Sequence, residues 1–303
     1  MTFPHADPIG DSRPRRRPLR IALRVVLFGV FLFFAWLWFL WPPPAWYRWA
    51  WPRQTAFMSM RRAEAREAIK AKGGTGELPR RLYQPVPLAA IAPVMQAAVL
   101  VAEDHRFYEH SGIDYVEFRH ALGYRPDDFS LGDPRDRAGM WRAFKESLSG
   151  RNRLRGASTI TQQLAKNLYL SPSRNPLRKL KEAVTAWRLE YWLGKDRIME
   201  LYLNVVELGP EVWGVEAGSQ KYFRRSARQL GLDEAAALAG SLPFPLRSNP
   251  GYRPGRMRWR QAMIIRRVRG ERFEIPRADD VPDIGPAIEL PPVPPIPPAP
   301  EPR

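Results

Sequence analysis

The sequence predicts a mainly α-helical domain carried on a single N-terminal transmembrane helix. Three observations lead there. Val25 to Trp41 runs without a charged or strongly polar group. Between residues 55 and 272 apolar residues recur at helical spacing, and no period-two alternation persists. The chain has 32 prolines among 303 residues, and eleven of them fall between Pro276 and Arg303, a stretch that cannot build a core.

Residues 1–24 read as a basic cytoplasmic segment, with Arg13, Arg15, Arg16, Arg17, Arg20 and Arg24 against Asp7 and Asp11. The uncharged span covers about 25 Å as a helix, and Ile21-Ala22-Leu23 lengthen it when Arg24 snorkels to the headgroups. Trp36, Trp38, Trp41, Trp46, Tyr47, Trp49 and Trp51 form an interfacial aromatic belt, so 25–47 is the anchor, closed by Pro42-Pro43-Pro44. Those bulky residues stand where a cleaved signal peptide needs small ones. Arginines before the span put the N-terminus in the cytoplasm and the body outside, as a single-pass protein of the bacterial cytoplasmic (inner) membrane.

Within 55–272, Val94–Ala102 reads as an apolar helix running into Glu103-Asp104. Thr159 and Gln162 have capping-box spacing, followed by the stripe Ile160, Leu164, Leu168. A turn spans Ser171 to Pro176. The next helix has Leu177, Leu180, Val184, Trp187 and Tyr191 as its expected buried face, and Gly194 at its C-terminus. Further helices carry Ile198, Leu201, Tyr202 and Val205, then the alanines of Asp233–Gly240, then residues 255–270. The proline segment 276–303 is an extended, disordered tail.

The formal charge is +17, from 48 Lys+Arg against 31 Asp+Glu, and there is no cysteine. Absence of cysteine excludes disulfides, thiolate metal sites and a Cys nucleophile. The tail carries −3, which leaves +20 on the rest and points to an anionic partner. Residues 151–200 hold eleven Lys/Arg against four Asp/Glu. Nucleic acid is not expected, because these cations are interrupted by an apolar helical pattern on the outer side of a membrane. The arginines from Arg253 to Arg269 are expected to face lipid headgroups.

Three groups can carry chemistry. Glu103, flanked by Val101, Ala102, Phe107 and Tyr108, suits a partly desolvated general base, or a helix-terminal acid in solvent. The helix start Ser158-Thr159-Ile160-Thr161-Gln162-Gln163 with Lys166 offers hydroxyls, amides and an ammonium to sugar hydroxyls or phosphate, or is a capped solvent face. Arg178 and Lys179 lie one turn before Glu182, suiting a diphosphate and a divalent metal, or an exposed ion pair.

In order, the chain reads Glu103-Asp104-x-x-Phe107-x-x-His110-x-Gly112, Gly156-Ala157-Ser158-Thr159-Ile160-Thr161-Gln162-Gln163, Arg178-Lys179-x-x-Glu182, and Arg197-Ile198-x-x-x-Tyr202-x-Asn204. This closely resembles the family 51 glycosyltransferases, the peptidoglycan polymerases of bifunctional penicillin-binding proteins and monofunctional biosynthetic transglycosylases. With no Ser-x-x-Lys where a transpeptidase could be housed, it is similar to the monofunctional type. The resemblance implies a lysozyme-like fold over 55–272, with Glu103 as catalytic base and Glu182 as a second catalytic carboxylate. Lys166, Arg178 and Lys179 then face the donor diphosphate, with Mg²⁺ or Mn²⁺ at Glu182. It also implies substrate contacts from Asp104, Phe107, His110, Ser158, Thr159, Gln162, Gln163, Arg197, Tyr202 and Asn204. The implied partners are lipid II, a lipid-linked glycan strand, the bacterial membrane, and cell-wall synthesis or division proteins. Between Asp114 and Gly156 the chain is longer than typical monofunctional members, with Trp141, Phe144 and Leu148 in the extra stretch. The alternatives are a lysozyme-like glycan-cleaving enzyme, which needs no diphosphate-binding cations, and a non-enzymatic membrane scaffold.

Overall fold

The computed structural model describes residues 16–36, 44–74, 76–126, 128–148, 158–169 and 176–271. The first fifteen residues, the 37–43 part of the anchor, the Ser171-to-Asn175 part of the expected turn and the 276–303 tail lie outside them. The chain divides into two units, residues 1–43 and 44–303.

The first unit contains α1 (Arg16–Ala35), whose described side chains are apolar all round from Val25 on, with Val25 and Phe31 both exposed. Among the described residues no helix is long and apolar enough to cross a membrane. The span read from the sequence continues through residues outside the described set.

The second unit is mainly helical. After a 3₁₀ turn at Pro44–Arg48 comes α2 (Ala56–Ala71), capped by Thr55, whose Oγ1 accepts the Met58 N–H at 3.1 Å. Then follow β1 (Leu82–Tyr83), α3 (Pro93–Glu103), α4 (Tyr115–Ala121), α5 (Pro134–Leu148), α6 (Ile160–Tyr169), α7 (Pro176–Leu193) and α8 (Lys195–Val205). The chain closes with β2 (Glu207–Gly209), β3 (Val212–Trp213), α9 (Val215–Phe223), α10 (Leu232–Ser241) and α11 (Gly255–Val268). The small sheet has the order β1-β3-β2, with β1 parallel and β2 antiparallel to β3. At two or three residues each, these strands are too short to show alternation, so the sequence reading lacked them.

The core is built on α6 and α8. Ile160, Leu164 and Ala165 of the first are fully buried, as are Ile198, Met199, Leu201 and Leu203 of the second. The alanines of α10 let α3 and α11 approach closely, since a small side chain brings helix axes nearer. The predicted capping box is present: Gln162 N–H donates to Thr159 Oγ1, and Thr159 N–H to Gln162 Oε1, both at 3.1 Å. Gly194 joins α7 to α8 with φ of 73°, a conformation that suits glycine.

The expected buried face of α7 is corrected. Val184 is buried, but Leu180 and Trp187 are each 38% exposed and Tyr191 is 70% exposed; the side chain of Leu177 lies outside the described residues. The inward side carries Glu182, Thr185, Ala186, Arg188, Leu189 and Leu193. A helix that turns polar groups inward, where they find partners, reads inverted by hydrophobic periodicity.

Two motif residues serve as ties. Asn204 Oδ1 accepts Val86 N–H at 2.9 Å and its Nδ2 donates to Val86 O at 2.8 Å, holding the approach to α3. Arg197 donates to Tyr47 O at 2.7 Å and Ala50 O at 2.9 Å, with Trp51 4.6 Å under its guanidinium. Close by, Gly214 has φ of 82°, and a Cβ there would lie 2.4 Å from the Asn204 carbonyl oxygen. Gly214→Ala is therefore expected to destabilise the body by at least about 2 kcal/mol, from left-handed strain and a backbone clash. A urea midpoint equal to that of the parent chain overturns this.

Candidate active site

The last residue of α3 is Glu103, and Asp104 caps that helix. Asp104 is buried, accepts His110 Nε2 at 3.1 Å on each oxygen, and takes the Ile160 N–H at 2.9 Å on Oδ2. A carboxylate at a helix N-terminus satisfies an orphan donor and meets the positive end of the dipole. This joint fixes the end of α3 against the start of α6. Thr159 tightens it, its Oγ1 donating to Gly112 O at 2.6 Å.

Four helices then meet at one carboxylate. Gln163 of α6 donates Nε2 to Glu103 Oε2 at 3.0 Å, and Tyr202 of α8 donates its hydroxyl to Gln163 Oε1 at 3.0 Å. From α11, Arg260 donates to Glu103 Oε1 at 3.0 Å. The Glu103 side chain is 14% exposed. Burial pushes its carboxyl above the ordinary 4.5, and Arg260, Gln163 and Lys166 pull against that rise.

Beside it stands a group of cations. Arg178 donates to Glu182 Oε2 at 2.9 Å, Lys179 to Glu182 Oε1, and Lys179 also to Ser158 Oγ at 3.1 Å. Lys166 is half-buried; desolvation lowers its ammonium from 10.5, while Glu182 and Glu103 raise it and Lys179 and Arg178 lower it. A cleft of about 560 Å³ opens at the Glu103 end of α3, lined by Val101 to Asp104, Ser158, Thr159, Glu117 and Arg267 among others.

The structure thus brings together Glu103, Ser158, Gln163, Lys166, Arg178, Lys179 and Glu182. Thr159 lines the cleft with its side chain committed to the backbone. Gln162 is part of the cap, and Tyr202 is buried with its hydroxyl held un-ionised far above 10. Phe107 is fully buried under Lys195, whose Nζ lies 4.3 Å from the ring, and His110 is spent on Asp104. Arg197 and Asn204 give their polar atoms to the backbone ties described above.

Arg260 was missed by sequence reasoning, which took the α11 arginines for a lipid-facing set. Its partner is 157 positions away, and no motif marks it. Arg267 likewise turns to α3, donating to Val101 O at 3.4 Å.

Asp104, His110 and Asp114 have ligand atoms within 4.8 Å of one another, as a metal site requires. These groups already have partners: Asp114 Oδ1 accepts Val116 N–H at 2.9 Å and Glu117 N–H at 3.0 Å, while Oδ2 pairs with Arg106 at 3.2 Å. His110 Nδ1 and Asp114 Oδ2 are buried without a hydrogen bond among the described residues, so the cluster is hydrogen-bonded in part and otherwise held by the Arg106 charge.

Comparison with known proteins supplies the lineage. The family described as Transglycosylase matches residues 74–126 and 133–269. A biosynthetic peptidoglycan transglycosylase of Bordetella pertussis is 36% identical over 253 residues, covering 84% of this chain and 93% of that protein. Another from Bdellovibrio bacteriovorus is 43% identical over 195 residues, covering 64% of this chain and 68% of its own. Penicillin-binding protein 1A of Escherichia coli is 40% identical over 189 residues, which is 62% of this chain and 20% of that protein. With its matched region holding every helix from α3 to α11, the chain belongs to the transglycosylase family.

Proposed function

We propose that the chain is a peptidoglycan glycosyltransferase that polymerises lipid II, with Glu103 as general base and Lys166, Arg178 and Lys179 receiving the donor diphosphate. The observation that carries the assignment is a largely buried carboxylate, raised by burial, with Lys166 close to it and Lys166, Arg178 and Lys179 gathered round Glu182. Glu103 takes the proton from the 4-hydroxyl of the acceptor N-acetylglucosamine as that oxygen attacks C1 of the donor N-acetylmuramic acid. The C1–O bond to undecaprenyl diphosphate breaks, and the anomeric centre inverts from α to β. Negative charge builds on the departing diphosphate, where preorganised cations in a poorly hydrated cleft act most strongly. Ser158 and the start of α6 orient the sugars, and Glu182 fixes Arg178 and Lys179 in place.

Both oxygens of Glu182 already accept a cation, and three positive side chains surround it. A divalent ion does not fit that arrangement, and no step here passes through one. Titrating Mg²⁺ into the polymerisation assay is expected to give the same response for Glu182→Gln as for the parent chain; a midpoint shifted tenfold or so would restore a metal role for this residue.

The anchor and the arginines before it are read as holding the body on the outer face of the cytoplasmic membrane, within reach of lipid-linked substrate. Partners in wall synthesis or division belong to the same reading. Digestion of the body by protease added to intact spheroplasts, with a reporter at the N-terminus responding from the cytoplasm, is the expected outcome; a protected body overturns the topology.

With detergent-solubilised full-length protein and labelled lipid II, Glu103→Gln is expected to slow polymerisation by about 10²–10⁴ and to leave lipid II binding unchanged. A near-parental rate overturns the base assignment. Removing the ammonium in Lys166→Met is expected to lower kcat by about 10²–10³. Release of muropeptides from intact peptidoglycan would favour a glycan-cleaving enzyme instead. Because the base works ionised and its pKa lies above 4.5, the acid limb of kcat/KM is expected above pH 4.5, with activity lost as pH falls through it.

A further inference from the structure

Glu103 occupies an unfavourable place for a charge that must be present during reaction. It ends a helix, where the unsatisfied carbonyls of the last turn form the negative end of the dipole. It is also withdrawn from water, with 14% of the side chain exposed. Dipole and desolvation both favour the protonated form, which cannot accept a proton.

The α11 helix answers both. Arg260, 21% exposed, sets one NH2 group 3.0 Å from Glu103 Oε1 and 3.4 Å from the Ala102 carbonyl. Arg267, two turns on, reaches the Val101 carbonyl at 3.4 Å. Cations at a helix C-terminus are stabilising. The other groups facing Glu103 are Gln163 and Lys166 from α6, Tyr202 from α8, and Asp104 beside it on the chain. Of these, Lys166 belongs with the cluster around Glu182, and burial lowers the pKa of its ammonium from 10.5. Gln163 is neutral and holds the opposite oxygen. Arg260 therefore fixes one oxygen by a charged donor while Gln163 fixes the other by a neutral one, leaving the plane of the carboxylate defined from two sides.

We propose that Arg260 is a positioning residue for the transfer reaction, acting through Glu103 to keep the base ionised and aimed, and not as a ligand of the diphosphate. This rests on the assignment of Glu103 as base. No bond to Arg260 forms or breaks, and the proton moves from the acceptor hydroxyl to Glu103 alone.

The test is the pH–rate profile of the full-length protein on lipid II for Arg260→Gln, Arg260→Ala and Arg260→Lys, with a thermal melt of each. Arg260→Gln keeps a donor of similar reach without the charge, so it stays informative where the alanine variant is poorly folded. The neutral variants are expected to raise the acid limb by about one pH unit and lower kcat about tenfold, with KM within about threefold of parent. Arg260→Lys is expected to recover part of the loss. In a Glu103→Gln background, Arg260→Ala is expected to cost nothing further, because residues acting as a unit are non-additive. A rise in KM with kcat and acid limb unchanged would make Arg260 a substrate ligand and overturn the proposal. So would a fall in kcat that follows the melting temperature while the acid limb stays in place, or an equal further loss in the Glu103→Gln background. Near-parental activity of Glu103→Gln alone would instead remove the base assignment, whatever Arg260 does.

Discussion

Asp104 holds the backbone N–H of Ile160 and both its own oxygens against His110, and the geometry of the cleft depends on that joint. Two helices far apart in sequence, α3 and α6, end and begin at this carboxylate. Because α3 stops there, Glu103 is presented at a terminus and not along a helix face. Because α6 starts there, Gln163 and Lys166 come to the side of the cleft that Glu103 faces. An alanine at 104 would leave a helix N-terminus and an imidazole without an acceptor in a buried place, a large penalty for a single side chain.

The cations fall into two groups with different neighbours. Arg178, Lys179 and Lys166 gather round Glu182, three cations to one carboxylate, so the group has positive charge to spare for a further anion. Arg260 and Arg267 turn to the end of α3, where the anion is already part of the protein. The overall charge of +17 gave no sign of this division. On the proposed mechanism, a leaving diphosphate needs the first kind of group, and a buried base needs the second.

Much of this was legible from residue order. The capping box at Thr159, the apolar stripe of α6, the buried helix around Tyr202 and the alanine helix before Pro243 all follow local rules, so spacing alone located them. The residues that α6 and α7 bring beside Glu103 were singled out by the resemblance; spacing alone left them open to being a capped solvent face or an exposed ion pair. Three things were hidden. The inward face of α7 carries Glu182, Thr185 and Arg188, so its hydrophobic pattern pointed the wrong way. The sheet is too short to have a pattern. Arg260 meets Glu103 through the packing of α11 on α3, with α10 against both, a tertiary fact that no local signal contains.

The residues of the fourth motif are placed on ties within the body more than at the cleft. Arg197, Glu200, Tyr202 and Asn204 lie on one helix, yet only Tyr202 points its hydroxyl to the site, through Gln163. Arg197 fastens the chain at Tyr47 and Ala50, Glu200 accepts Leu88 N–H at 2.6 Å, and Asn204 fastens Val86. So α8 supports the partner of the base and also grips the segment that leads out of the apolar region and the segment that leads into α3. The proposed lipid-linked substrate would require the Glu103 carboxylate to be held steady with respect to the first residues of the body. One rigid helix with donors and acceptors on successive turns meets that requirement without touching substrate.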